Sequence, residues 1–315
     1  MFDLSKQTTC MIKGIAVSLI VLSHITSGNR LLSGMGLSNV ILLFILSGYG
    51  LTKRYGLSSK EAFFKQRILK LYIPYLIVAL IDVLILVKLP FQTKILTLLC
   101  LDWKFSTDVS MWYIATLFLW YTLFGIVLKI KIKSIYKLGI VILAGLILKL
   151  QKIGLGGGEY AAWFSHMRSS ALAFPLGVLL GCLEKYKDKI KIDIEWKKVL
   201  CCVLAVMFLY FLYIREILCP YLYAGFIISF FRIMQSYNFK SEILLFLGGI
   251  SYEIYLWELK LVYFYILRKH GYIGYFAILL GVSSFIHYSY QLIKIKMRIL
   301  RDKRKIKNRG YICQK

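Results

Sequence analysis

The chain has 315 residues, 59% of them hydrophobic types, and its 41 lysines and arginines against 15 aspartates and glutamates leave a net charge of +26. That apolar content excludes disorder, and a mean hydropathy of +0.69 places the chain on the membrane side of ordinary soluble domains. A soluble nucleic-acid binder would gather its basic residues on a water-facing surface, but here they fall between long apolar runs, so an all-α, polytopic integral membrane bundle with no nucleic-acid partner is expected.

Runs of about 17–25 mostly apolar residues are candidates to cross a bilayer as helices. In chain order they cover 10–28, 36–52, 71–88, 111–129, 134–150, 169–185, 198–214, 217–235, 249–267 and 272–293, about ten transmembrane helices. The first is followed by no small-residue cleavage site and reads as a retained span. The stretch 94–101 is too short to cross and reads as interfacial or re-entrant. The runs are continuous rather than alternating, which disfavours a β-barrel. Residues 1–293 therefore form the expected membrane domain, and 294–315 a basic cytoplasmic tail.

Two further features are weak signals. The seven cysteines are odd in number, contain no Cys-x-x-Cys pair and lie mostly in apolar runs, so they read as small buried hydrophobes, with no metal site expected. The glycine-rich stretch from Gly154 to Gly158 lacks the Gly-Lys-Ser/Thr ending of a phosphate loop. It reads as an external loop that, with Glu159 and His166, borders an acceptor entrance. His166 as an external general base is the lesser reading there.

Orientation follows from the cations. With ten spans, 30 of the 41 lysines and arginines fall in loops and termini on one side, counting the tail. Cytoplasmic loops carry such an excess, so both termini are expected in the cytoplasm.

Ionisable groups inside spans are costly and mark functional candidates. They are His24, Asp82, Glu253, Glu258, Lys260 and His287. Asp82 reads as a bond to a neighbouring helix, Glu253 as reaching the interface, and His287 as part of a polar patch. Glu258 and Lys260 are two apart and do not share a helix face. His24 differs, because Lys13 lies eleven positions earlier. That spacing is about three turns and about 16 Å of rise, so both fall on nearly one face. A cation near the cytoplasmic mouth then lines up with an imidazole roughly half-way across the bilayer. The geometry suits a reagent with an anionic end and a long neutral arm, such as acyl-CoA.

The loop after the second span adds Arg67 and Lys70, three apart and on one helix face. Together they can clamp a phosphate or pyrophosphate, Arg67 through a bidentate fork.

With these residues in view the sequence resembles the acyltransferase-3 family of bacterial integral membrane acyltransferases. Lys13 with ten residues before His24 is similar to the family's Arg/Lys-x10-His motif. Phe44-Ile45-Leu46-Ser47-Gly48-Tyr49 resembles its Phe-x-x-Ser-Gly-Tyr/Phe segment. Arg67-Ile68-Leu69-Lys70 ahead of Pro74 resembles its Arg-x-x-Arg segment, with lysine for the second arginine. Trp112-Tyr113-Ile114, Phe174-Pro175-Leu176-Gly177 and Ser251-Tyr252-Glu253-Ile254-Tyr255-Leu256-Trp257 resemble later elements. Glu258 stands where members often carry histidine.

The resemblance implies transfer of an acyl group, usually acetyl, from acetyl-CoA or another cytoplasmic acyl-CoA as co-substrate, with no bound cofactor. The implied acceptor is a hydroxyl of a cell-surface glycan or its lipid-linked precursor. It implies that His24 is catalytic and that Lys13, Arg67 and Lys70 bind the donor. Ser47, Tyr49 and Trp112 are candidate wall or oxyanion groups, and Glu258 a candidate to orient the acceptor hydroxyl. The rival expectation is a transporter or flippase of a glycan or small solute, with the midplane ionisable residues as its path. Besides acyl-CoA and the saccharide, the lipid bilayer is the expected partner, and the oligomeric state is open.

Overall fold

The structure is a computed structural model that describes residues 4–26, 30–57, 63–86, 90–102, 108–151, 160–185, 220–263 and 266–312. Among the described residues every regular element is a helix. In chain order these are α1 (Lys6–Ile25), α2 (Arg30–Tyr55), α3 (Phe63–Ile81, running into a π-helical turn, Asp82–Leu86), α4 (Phe91–Leu98), α5 (Trp112–Lys129), α6 (Ser134–Leu150), α7 (Tyr160–Ser170), α8 (Ala173–Lys185), α9 (Pro220–Ser236), α10 (Glu242–Gly249), α11 (Ser251–Tyr263) and α12 (Ile266–Ile312). A single-turn 3₁₀ helix, Val109–Met111, leads into α5.

Five helical stretches among the described residues are long and apolar enough to cross a membrane: Lys6–Ile25, Met35–Tyr55, Trp112–Lys129, Phe164–Glu184 (which runs from α7 into α8) and Gly271–Ile293. Each corresponds to one span expected from sequence. The α6 and α9 helices, at 17 residues each, are shorter. The 94–101 stretch falls largely in α4, an eight-residue helix too short to cross. The expected span 198–214 and the glycine run with Glu159 lie outside the described residues.

The chain divides into two compact units, Met1–Gly249 and Ile250–Lys315. In the first, α2 is the centre. It packs along α8 and against α1 and α9. The α2–α8 crossing is close because glycines stand at it. A Cβ on Gly177 would strike the Ile45 carbonyl, and one on Gly48 would strike the Phe174 carbonyl. Without a water-driven hydrophobic force between helices in lipid, such small residues give the helices their contact area. The α1–α10 crossing repeats the arrangement, with Gly14 against the Leu244 carbonyl and Gly248 against the Cys10 carbonyl. Four phenyl and indole rings, Phe63, Trp120, Phe124 and Phe174, fill the space between α3, α5 and α8, each fully buried.

The second unit consists of α11 and α12. A backbone break at Gly271, with φ 64°, interrupts α12 near its start, a conformation glycine adopts without Cβ strain. From there the helix continues unbroken through the basic segment after residue 293 to Ile312.

Candidate functional site

The α1 helix begins earlier than the apolar run does, because Ser5 caps it. The Ser5 hydroxyl accepts from the Thr8 backbone N–H at 3.0 Å, satisfying one of the unpaired amides of a first turn. Polar residues Lys6–Thr9 are therefore helical. Lys13 consequently lies two turns inside α1 and His24 in its last turn, so His24 sits deeper along the helix than mid-length. The helix is unbroken between them, and the shared face inferred from spacing follows from its geometry.

Lys13 is half-buried, and Arg67 and Lys70 lie within electrostatic reach of it. The α3 helix thus brings its two cations to the residue on α1 with which the sequence grouped them. Two further positive charges thus lie within electrostatic range of Lys13. Like charges repel at this range, so the cluster is best accommodated with an anion among them.

The six residues of Phe44–Tyr49 on α2 serve several neighbours at once. Phe44 packs edge-on against Tyr113 at 4.8 Å and tilts against Trp112 at 6.3 Å. Ser47 lies beside the hydroxyls of both Tyr113 and Tyr121 of α5. Gly48 lies against the α8 backbone. The Tyr49 hydroxyl accepts from the Leu4 N–H at 3.0 Å and donates to Glu184 Oε2 in a short bond. Tyr121 is in turn within electrostatic reach of Arg67. A polar thread therefore runs from the cation cluster through Tyr121 to Ser47 and Tyr113.

Tyr49 stands apart from that thread. Lys53 pairs with Glu184 at 3.1 Å and donates to the Leu4 carbonyl at 3.0 Å. Gln235 of α9 accepts from Ser5 N–H at 2.9 Å and from the Thr8 hydroxyl at 2.6 Å. Tyr49, Lys53, Glu184 and Gln235 together form a latch that fixes the start of α1. Trp112 opens α5 and stacks on His166 of α7, with centroids 5.2 Å apart and planes 22° apart.

In the second unit Glu258 is fully buried, and its backbone carbonyl accepts from the Tyr275 hydroxyl at 2.9 Å. Glu253 and His287 face each other, with Oε1 2.9 Å from Nδ1. Each therefore has the other as a partner across α11 and α12. Asp82 is buried at the start of the π-helical turn.

Sequence reasoning gave no role to Tyr55, Tyr121, Glu184 and Gln235. Tyr121 sits in an apolar run and looks like a core residue, Tyr55 follows two cations at the start of a loop, and Glu184 closes a span next to Lys185. Among the described residues no cluster of histidine, cysteine and acidic side chains has metal-binding geometry.

Residues 11–288 match a family model described as an acyltransferase domain, of the acyltransferase-3 type. No curated protein and no solved structure matches the chain.

Proposed function

The chain belongs to the acyltransferase-3 family, and from that premise we propose that this membrane acyltransferase moves an acyl group, by default acetyl, from cytoplasmic acyl-CoA to a hydroxyl of a cell-surface glycan or its lipid-linked precursor. The observation that carries the reading is the alignment of Lys13 and His24 on one unbroken helix, with Arg67 and Lys70 gathered at Lys13. A CoA donor is anionic at one end and carries its thioester at the other. Three cations suit the anionic end, and an imidazole about 16 Å further along α1 suits the reacting end.

Acyl transfer from a thioester to an alcohol needs a base for the hydroxyl and donors for the developing oxyanion. An imidazole whose ordinary pKa is about 6.5 serves as a base near neutral pH. His24 takes the proton of the acceptor hydroxyl as its oxygen attacks the thioester carbonyl. The tetrahedral intermediate then collapses, the carbon–sulfur bond breaks, and the leaving thiolate takes the proton back from His24 to give free CoA. Ser47, with the two tyrosine hydroxyls beside it, is the candidate oxyanion donor, and Trp112 a wall. Tyr49 acts on position instead, through the latch on α1. Glu258 remains the acceptor-side candidate from its place in the late motif.

The reading is tested by comparing O-acetyl content of surface glycans in cells with and without the protein. Loss of acetyl groups from one glycan on deletion, restored by the gene, is the expected result. A transporter would instead change how much glycan reaches the surface while leaving its acetylation per residue unchanged.

A further inference from the structure

Tyr55 is the last residue of α2, and Gly56, with φ 62°, ends the helix just after it. The Tyr55 ring is 4% exposed and packs edge-on against Phe63, centroids 5.2 Å apart. Phe63 in turn packs against Phe124. Tyr55 is therefore a fixed ring at the rim of the cation cluster. The Arg67 Nε–H donates to its hydroxyl at 3.3 Å, and the Arg67 guanidinium carbon lies 5.5 Å from its centroid. The Arg54 guanidinium carbon also lies 5.5 Å from that centroid. The two guanidiniums can thus be no more than about 11 Å apart, since each is 5.5 Å from one point.

A guanidinium carries five N–H donors, four of them on its two terminal nitrogens. Tyr55 uses the Nε–H of Arg67, which leaves the terminal pair as the fork for an anion. Arg54, whose side chain is exposed, makes a cation–π contact with the same ring. An aromatic seat that collects two like charges from two helices, one of them Arg67 in electrostatic reach of Lys13, is organised for a multiply charged anion.

We propose that Tyr55 seats Arg54 and Arg67 together as a two-guanidinium fork for the phosphate groups of the donor, making Arg54 a further donor-binding residue and Tyr55 a positioning residue. The proposal rests on the acyl-CoA reading of the same site. It also accounts for the lysine at position 70, because Arg54 supplies the second planar fork that Lys70 lacks.

The test is direct binding of CoA, and of pantetheine as the phosphate-free arm, to the purified full-length protein in detergent. Arg54→Ala is expected to weaken CoA binding by about tenfold, the loss of one charge-assisted contact, and to leave pantetheine binding unchanged. Arg54→Lys keeps the charge and is expected to recover only part of the loss. Tyr55→Leu is expected to weaken CoA binding as Arg54→Ala does, and Tyr55→Phe, which keeps the ring, less. Lys131→Ala, an exposed cation off the seat, is expected to change nothing. CoA binding by the wild type that Arg54→Ala leaves intact, or an equal loss of pantetheine binding, would overturn this inference alone. No CoA binding by the wild type would overturn the donor reading as well.

Discussion

Gly48 of α2 and Gly177 of α8 face each other's helix backbones, so that two segments far apart in the chain, Phe44–Tyr49 and Phe174–Gly177, meet at one crossing. The crossing explains why both segments contain a glycine. It also sets the depth of Ser47 relative to α5. Gly177→Val is expected to lower the melting temperature in detergent, with an overpacking cost of about 1–3 kcal/mol. Gly50 lies only two residues from Gly48, on the opposite face of the same helix, and a Cβ there meets nothing within 4 Å. Gly50→Ala is expected to leave stability unchanged or slightly raised. Equal losses for the two variants would mean that the crossing is not where the helices touch.

The latch at the start of α1 gives a second prediction. Glu184→Gln keeps the size of the side chain but removes the charge that Lys53 pairs with and weakens the bond from Tyr49. Part of the pair is exposed, so the expected stability cost is only about 1 kcal/mol. Catalysis should suffer more than stability does, because the latch fixes the helix that carries Lys13 and His24. The measurement is turnover against melting temperature in the same preparation, and a fall in both by the same proportion would speak against a positioning role.

Glu253 and His287 form a closed pair within the second unit. Glu253→Ala, His287→Ala and the double variant should therefore be non-additive in thermal stability, with a coupling of about 0.5–3 kcal/mol. Additive losses would show that the two side chains act independently.

Orientation is testable without a structure. If the excess of cations marks the cytoplasm, a fluorescent protein fused after Lys315 should fluoresce and alkaline phosphatase fused there should be inactive. The opposite pattern would invert the topology and place the Lys13 cluster on the wrong side for CoA.

Much of the site was legible in the sequence because its parts are local. Eleven residues between Lys13 and His24 fix a shared face whenever the segment is one helix, and α1 is. Arg67 and Lys70 were legible as a pair for the same reason. Their grouping with Lys13 was an inference from chemistry, and in the structure both lie within electrostatic reach of it. What periodicity could not give was long-range. Tyr49 is joined to Glu184 across 135 positions, and Ser5 to Gln235 across 230. Tyr121 was hidden because an aromatic in an apolar run looks the same whether or not its hydroxyl has a polar neighbour, and the role of Tyr55 was hidden because its partner Arg67 lies twelve positions on, beyond a loop. The start of α1 was also less legible, because a capped polar turn lengthens the helix beyond its apolar stretch. Helix lengths also differ from apolar-run lengths. Five helical stretches among the described residues are both long and apolar enough to cross a membrane, while the expected span 249–267 divides between α11 and the start of α12.

The central claim is that His24 is the base for acyl transfer. The most direct measurement is transfer of labelled acetyl from acetyl-CoA to surface glycan in membranes of a deletion host carrying either wild type or His24→Ala at matched protein levels. Removal of a general base typically costs about 10²–10⁴-fold in rate, so the variant should fall to background while still binding CoA. Acetylation at the wild-type rate by His24→Ala would contradict the account.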